Sequence, residues 1–370
     1  MAERPLRIGL NLVFLVEGAG GAGRYAHELL PALRAVAPEA DVTAFVNKDA
    51  PAALFEQPWS DGVDWVRLPI GIGGKAHLAA QMTVVPASEA RRRLDVLHSL
   101  ANIGPLVTPG VARVVTLLDV IWLHHGADWE AGAAARGFAT LSRICARNAD
   151  RVLTISDSAK EDIASSLGLD RAKIDVAPLG VRAQHPRTEL PREPVVLCVA
   201  QKRPYKNLGS LIRAIAELEE PARLVLAGAP TPHEEELKAL AAELGVADRV
   251  SFRGWVPEDE LEALYREARC FVLPSLIEGF GLPVLEAMAR GVPVACSNRP
   301  ALPEVAGDAA LLFDPEDQSA VTEAVRRLLR DDELARTLAE RGVKRASELT
   351  WERTAQATLE SYRKAARAPV

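Results

Sequence analysis

Two glutamates eight positions apart, Glu278 and Glu286, lie in the run Pro274-Ser275-Leu276-Ile277-Glu278-Gly279-Phe280-Gly281-Leu282-Pro283-Val284-Leu285-Glu286. An apolar stretch ends at Leu273, glycines follow, and Pro283 suits a first helical position. The pattern predicts a strand, a tight turn and a helix whose start offers the N–H groups of about Gly279 to Leu282 to a phosphate. The two carboxylates would flank that anion site, placed to grip hydroxyls of a ribose and a sugar. A second candidate is Gln201-Lys202-Arg203-Pro204-Tyr205-Lys206-Asn207, which follows the apolar run Val195–Ala200. Three cations beside another helix start, with Asn207 as its expected cap, suit a diphosphate.

A third element, Gly18-Ala19-Gly20-Gly21-Ala22-Gly23, has the spacing of a dinucleotide-binding turn. That reading needs an acidic residue at the end of the second strand to hold a ribose. The run Val42–Val46 ends instead in Asn47-Lys48, so a nicotinamide oxidoreductase is not favoured. What survives is more general: Gly20 and Gly21 let backbone approach a ligand closely, and Arg24 could reach the same ligand.

These turns need a scaffold that presents strand ends to one side, and the chain supplies it. Short apolar runs alternate with helical stretches of ten residues or more. Strands are expected at Ile8–Val16, Asp41–Val46, Val63–Leu68, Val96–Ser99, Ala112–Leu117, Arg151–Ile155 and Ile174–Ala177, then at Val195–Ala200, Arg223–Ala227, Val250–Phe252, Cys270–Leu273, Val292–Ala295 and Ala310–Phe313. Helices are expected at Gly23–Val36, Glu130–Asn148 and Ser158–Leu167, and later at Leu208–Glu219, His233–Leu244, Pro257–Ala268, Leu282–Arg290, Gln318–Arg330 and Trp351–Ala366. Continuous apolar strands between helices imply α/β parallel sheets covered on both faces, with ligands beyond the carboxyl ends of strands. A stretch with Pro186, Pro191 and Pro194 reads as a linker between two such domains, which would face a central cleft.

Composition narrows the function classes. At 370 residues the chain suits two domains, and 48% hydrophobic with 25% charged residues is ordinary for a globular protein. Net charge is −6, with 18 basic against 20 acidic residues up to Gly180 and 26 against 30 beyond it. Neither half carries the basic excess that a nucleic-acid backbone demands. Cys145, Cys198, Cys270 and Cys296 show no C-x-x-C pairing and read as small buried hydrophobes in a reducing cytoplasm. Arg4, Arg7 and the run Ile8–Val16 could imitate a secretory signal, but they lead straight into a helix and read as a first strand. Ala76–Ala87 followed by Arg91-Arg92-Arg93 reads as a solvated helix face, with peripheral docking on the inner membrane face as the alternative.

With its surroundings, the Glu-x7-Glu pattern resembles the retaining nucleotide-sugar glycosyltransferases of family 4, which have the GT-B fold. The resemblance covers nearly the whole chain. It runs through Gly20-Gly21-Ala22-Gly23-Arg24-Tyr25, Pro178-Leu179-Gly180-Val181, Arg203-Pro204-Tyr205-Lys206-Asn207, Arg253-Gly254-Trp255-Val256, Gly291-Val292-Pro293-Val294, Leu302-Pro303-Glu304-Val305 and Trp351. It implies two Rossmann-like domains, an acceptor-binding one over 1–182 and a nucleotide-sugar-binding one over 183–348, with a helix at 349–370 crossing back to the first. By residue, it implies that Glu286 holds the ribose, Glu278 the sugar hydroxyls, and Arg203 and Lys206 the diphosphate, with the backbone of Gly279, Phe280, Gly281 and Leu282. Arg253 to Val256 would border the base. No metal and no cofactor are implied, the nucleotide diphosphate sugar being a co-substrate.

The chain departs from the pattern at two places. Gln201 stands where many relatives carry arginine. In the first domain, relatives often place a His directly before an Asp, whereas here Leu118 precedes Asp119 and the histidines come later, at His124 and His125. Either Asp119 or His124 could stand in. The expected function is transfer of a hexosyl group, mannosyl from GDP-mannose ahead of a UDP-hexose, to a hydroxyl of a glycan, lipid-linked or small-molecule acceptor. The segments Gly71–Gly74 and Trp122–Trp129 are the expected acceptor wall. A nucleotide-sugar epimerase, a phosphorylase-type enzyme and a non-catalytic sugar-nucleotide-binding protein are the alternatives.

Overall fold

The computed structural model describes residues 4–16, 20–71, 74–89, 91–125, 133–182, 184–219 and 221–367. The chain divides into two compact units, Met1–Leu179 with Trp351–Val370, and Gly180–Thr350.

The first unit contains β1 (Arg7–Leu12), α1 (Gly20–Val36), β2 (Asp41–Val46), β3 (Val63–Arg67), α2 (Gly74–Glu89), β4 (Val96–Ser99), β5 (Ala112–Thr116), α3 (Ile121–His124), α4 (Ala133–Asn148), β6 (Arg151–Thr154), α5 (Asp157–Leu167) and β7 (Ile174–Val176). Its strands form one parallel sheet in the order β3-β2-β1-β4-β5-β6-β7. The second unit contains β8 (Val195–Val199), α6 (Leu208–Glu217), β9 (Arg223–Ala227), α7 (His233–Glu243), β10 (Val250–Arg253), α8 (Glu258–Glu267), β11 (Cys270–Leu273), α9 (Leu282–Ala289), β12 (Val294–Ser297), α10 (Leu302–Ala306), β13 (Ala310–Phe313), α11 (Gln318–Arg330) and α12 (Asp332–Glu348). Its parallel sheet runs β10-β9-β8-β11-β12-β13. The last helix, α13 (Trp351–Arg367), returns to the first unit. Both units are doubly wound in the Rossmann manner.

The strands read as continuous apolar runs because helices cover both faces of each sheet. In β11, Cys270, Phe271, Val272 and Leu273 are all fully buried. Helix α11 shows the complementary rule, with Val321, Ala324, Val325 and Leu328 on one buried stripe. Asp317 caps it by accepting from the Ala320 N–H at 3.2 Å, and Asp331, just beyond its end, caps α12 through Leu334 N at 2.9 Å. Helix α5 begins at the Ser156 cap and ends at Gly168, whose φ of +63° closes the last turn.

Helix α13 is tied to the first sheet by polar as well as apolar contacts. Thr354 Oγ1 donates to Pro178 O at 2.6 Å, and Ser361 Oγ and Lys364 Nζ both donate to Asp175 at 2.8 Å. The Tyr362 hydroxyl lies 2.6 Å from His98 Nδ1, whose other ring nitrogen is 2.6 Å from Thr116 Oγ1. Burial depresses the His98 imidazole to about 3, so it is neutral, and one ring nitrogen donates while the other accepts.

Several elements differ from expectation. Strand β1 stops at Leu12 rather than Val16: the chain turns there with Leu15 N donating to Leu12 O at 2.9 Å. Helix α1 begins one turn early, at Gly20, so the second half of the glycine pattern is helical; Gly18 and Ala19 lie outside the described residues. Strand β12 is shifted to Val294–Ser297. Helices α3, α10 and α12 were not expected, and α2 is longer than the helix face read at Ala76–Ala87. Helix α2 continues past Pro86, α10 is a single short turn, and α12 contains Gly342. The basic run after α2 is partly engaged, Arg92 Nε bonding Asp64 Oδ2 at 2.9 Å. All four cysteines are buried, and burial lifts the Cys198, Cys270 and Cys296 thiols to about 12.

Candidate functional site

Strand order singles out one place in the second sheet. The chain leaves β8 towards β9 on one side, while β11 pairs with β8 on the other. The connections after β8 and β11 therefore leave towards opposite sides, and the carboxyl ends of these two strands are where a doubly wound sheet is expected to take a ligand. Those connections begin with the two segments that the sequence singled out.

After β8 a short 3-10 turn, Pro204–Lys206, leads to Asn207, whose φ is +53°. Lys206 Nζ donates to Glu278 Oε1 at 2.6 Å, and Ser275 Oγ donates to the same oxygen at 2.7 Å. The Lys206 and Glu278 side chains are 13% and 11% exposed. The two turns are also joined through backbone, Leu276 N to Tyr205 O at 2.8 Å. The glycine turn is braced from behind: Glu278 N donates to Pro300 O at 3.1 Å, Ala301 N to Glu278 O at 3.2 Å, and Ser297 Oγ to Ser275 O at 2.6 Å.

Helix α9 starts at Leu282, with Pro283 in its first turn and Gly281 before it at φ +99°. A Cβ at Gly281 would come within 2.4 Å of Leu302 Cδ2, so both conformation and space demand glycine there. Phe280 is buried beneath the turn. Of the first-turn positions of α9, Pro283 has no N–H and Val284 N donates to Gly281 O at 2.9 Å, so the helix start favours an anion through its dipole more than through free amides. Glu286 follows one turn on, 2% exposed, its Oε2 accepting from the Tyr265 hydroxyl at 2.9 Å. Arg290 packs over the Tyr265 ring at 4.7 Å and donates to Glu286 O at 3.0 Å. Tyr265 was not anticipated; its only signal was an aromatic residue in the otherwise highly charged α8.

Other expected residues have different roles. Lys202 does not join the cationic cluster. Its side chain is 0% exposed, and its ammonium donates to Gly228 O at 2.5 Å and to Arg253 O. Arg203, half-buried, donates from Nε to Gln201 Oε1 at 3.0 Å. Asn207 occupies the cap position of α6 without capping it, because its amide donates to Pro315 O at 2.8 Å. Arg253 ends β10, exposed and 3.8 Å from Glu260, and Val256 is half-buried just beyond.

In the first unit, Gly20 (φ +62°) and Gly21 are exposed with open space around them, and Arg24 is exposed at the start of the second turn of α1. Asn47 explains the missing ribose acid at the end of β2. It is fully buried and donates to Val13 O and Leu15 O at 3.1 and 2.8 Å, stapling the turn after β1. Asp119 Oδ1 accepts from Ile121 N at 3.1 Å at the start of α3. His124 Nε2 lies 2.8 Å from Asp162 Oδ1 on α5. Of the expected acceptor wall, residues 126–129 and both Ile72 and Gly73 lie outside the described residues. Among the described residues no three His, Cys, Asp or Glu side chains gather to hold a metal, and no helix is long and apolar enough to cross a membrane.

The family of glycosyl transferases group 1 matches residues 181–345, and the glycosyl transferase 4-like domain matches residues 20–180. The chain belongs to the group 1 glycosyltransferases. The D-inositol 3-phosphate glycosyltransferase of Acidothermus cellulolyticus is 31% identical over 324 residues, covering 78% of this chain and 72% of that protein. The O-antigen chain mannosyltransferase B of Escherichia coli is 33% identical over 232 residues, 58% of this chain and 61% of that protein. The match thus spans less than two thirds of that mannosyltransferase. Among solved structures, sucrose-phosphate synthase from Thermosynechococcus elongatus has a TM-score of 0.76 at 25% identity, covering 97% of this chain and 98% of that one. The two units are the two domains of a GT-B group 1 glycosyltransferase.

Proposed function

We propose that the protein is a retaining hexosyltransferase that takes a nucleoside diphosphate sugar as donor and a hydroxyl as acceptor. The observation that carries this reading is the Lys206–Glu278–Ser275 cluster beside the first turn of α9, with Glu286 one helical turn further on. In that arrangement Lys206, Arg203 and the positive end of α9 hold the diphosphate, Glu286 the ribose, and Glu278 the hydroxyls of the sugar. Gly279, Phe280, Gly281 and Leu282 shape the phosphate side, and Arg253 and Val256 the base side.

In the reaction, the bond from the anomeric carbon to the diphosphate oxygen breaks and a bond to the acceptor oxygen forms on the same face. The acceptor proton passes to the departing phosphate, so no carboxylate nucleophile is required. Charge develops on the diphosphate, where a fixed ammonium, a guanidinium and the α9 dipole stabilise it without reorganising. Such a set makes no demand for a metal ion. The first unit takes the acceptor, with Arg24 and His124 as its contacts; Asp119 is the catalytic candidate of that unit, and Gly20 and Gly21 are assigned to the donor.

Mannosyl from GDP-mannose is the first donor to try, since the Escherichia coli relative is named a mannosyltransferase; a UDP-hexose is the second. The acceptor class is a glycan, a lipid-linked acceptor or a small molecule, met by a cytoplasmic protein in peripheral contact with the inner membrane face. The test is nucleoside diphosphate release from GDP-mannose and from UDP-hexoses with each acceptor class, with the anomeric configuration of the product read by NMR. An inverted product refutes retention, and no turnover of any donor refutes the reading.

A further inference from the structure

Lys202 is the one cation of the post-β8 turn that faces away from solvent, and its surroundings define a task. Three N–H donors of its ammonium meet three acceptors from three segments. These are Gly228 O at 2.5 Å, Arg253 O, and Glu234 Oε2 at 3.5 Å near the start of α7. Gly228 is the first residue after β9 and Arg253 the last of β10, so the acceptors are carbonyls at adjacent strand ends, where the ladder runs out. Two such carbonyls crowded together repel unless a donor sits between them. The local backbone leaves little freedom for another solution. Gly228 has φ +140°, a Cβ on it would lie 2.2 Å from Ala200 O, and its N–H donates to Gly254 O at 3.0 Å. Lys202 N donates to Ala229 O at 3.4 Å, and Thr231 Oγ1 donates to Lys202 O. Glu234 is held in turn by Lys238 at 3.0 Å. The ends of β8, β9 and β10 are thus one polar knot with Lys202 at its centre, and Trp255, 77% exposed, rides on the turn it holds.

We propose that Lys202 is a positioning residue for the nucleoside of the donor: it fixes the turns after β9 and β10, so that Arg253 to Val256 border the base in one arrangement. This rests on the donor-site reading above. Lys202 touches neither sugar nor phosphate, and its loss should be felt at the base and not at the diphosphate.

The experiment is calorimetric titration of wild type and Lys202→Met with UDP, GDP and ADP, and separately with inorganic pyrophosphate, which engages the phosphate side alone. Folding of each variant is checked by circular dichroism. Displacing a recognition loop by about an ångström costs on the order of 10- to 100-fold. The expected result is a nucleoside diphosphate affinity at least tenfold weaker, a flattened preference among the three bases, and pyrophosphate affinity within twofold of wild type. Unchanged affinity and base preference in folded Lys202→Met overturns the proposal, as does an equal loss for pyrophosphate. If Lys202→Met does not fold, Glu234→Gln keeps the ammonium and removes its counter-charge. The same pattern at threefold or more then supports the proposal, and no change overturns it. Wild type that binds none of the three nucleotides refutes the donor-site reading itself, a result distinct from every outcome in the variants.

Discussion

Removing the ammonium of Lys206 should have two effects of different origin, and they can be separated. The ion pair with Glu278 is 2.6 Å long, with both side chains under 15% exposed. At an effective dielectric of about 20, two unit charges at that separation attract by roughly 6 kcal/mol, most of it cancelled by the cost of desolvating both. Lys206→Ala leaves Glu278 with only the Ser275 hydroxyl at 2.7 Å. A fully buried pair broken in this way costs about 3–5 kcal/mol. Here both side chains keep some exposure to water, so about 2 kcal/mol is expected, a fall in Tm of roughly 4–8 °C for a domain of this size. The catalytic effect is larger. Loss of one fixed charge from a site where negative charge develops costs about 10²-fold or more in turnover. Adding Glu278→Gln to Lys206→Ala removes the stranded carboxylate and should recover most of the Tm while turnover falls further. Differential scanning calorimetry and a nucleoside diphosphate release assay on the two single variants and the double variant make the comparison. Near-normal turnover in Lys206→Ala refutes the reasoning, and so does a double variant that regains activity together with stability.

Gly281→Ala should cost about 2–4 kcal/mol, because φ is +99° and the new Cβ meets Leu302 Cδ2 at 2.4 Å, whereas Gly20→Ala, at φ +62° in open space, should cost only about 1–2 kcal/mol. Urea unfolding of the two variants side by side checks the difference. Glu89, 1% exposed, is pushed up to about 7 by burial, with Arg113 opposing. The folded chain therefore holds a proton that the unfolded chain releases near pH 4.5, and stability falls as pH rises from about 4.5 to 7. Glu89→Gln should raise stability by on the order of 3 kcal/mol at pH 8 and by nothing at pH 4, read from Tm at the two values. At Asp95, burial raises the carboxyl and hydrogen bonds from Arg7 and Arg4 more than reverse it, leaving it at about 2. Its contribution, about 2 kcal/mol, is present above roughly pH 4 and lost as pH falls towards 2. Asp95→Asn should thus be less stable than wild type at pH 7 and equal to it near pH 2, seen as converging acid-unfolding curves.

What could be read from the sequence divides along a physical line. Strands such as Cys270–Leu273 and Arg223–Ala227 lie where expected because a parallel strand covered on both faces needs an unbroken apolar run. The turns of the candidate site were legible for a similar reason: Gly279, Gly281 and Pro283 are local solutions to ending a strand and starting a helix. Helix α12 was obscured by Gly342, which weakens a helix on its own but lets α12 lie against Met288, within 3.1–3.3 Å of where a Cβ would be. The premature end of β1 depends on Asn47, more than thirty residues away, accepting the task of bonding Val13 and Leu15. Lys202 and Lys206 make the same point within five residues. Both are lysines after the same strand, and nothing nearby in the chain tells them apart. One meets a carboxylate near the surface, the other meets two backbone carbonyls and a carboxylate inside the fold. A motif thus specifies which groups arrive at a strand end, while their partners, drawn from Tyr265, Ser275, Gly228 and Arg253, decide which group stays near the surface and which one is engaged inside the fold.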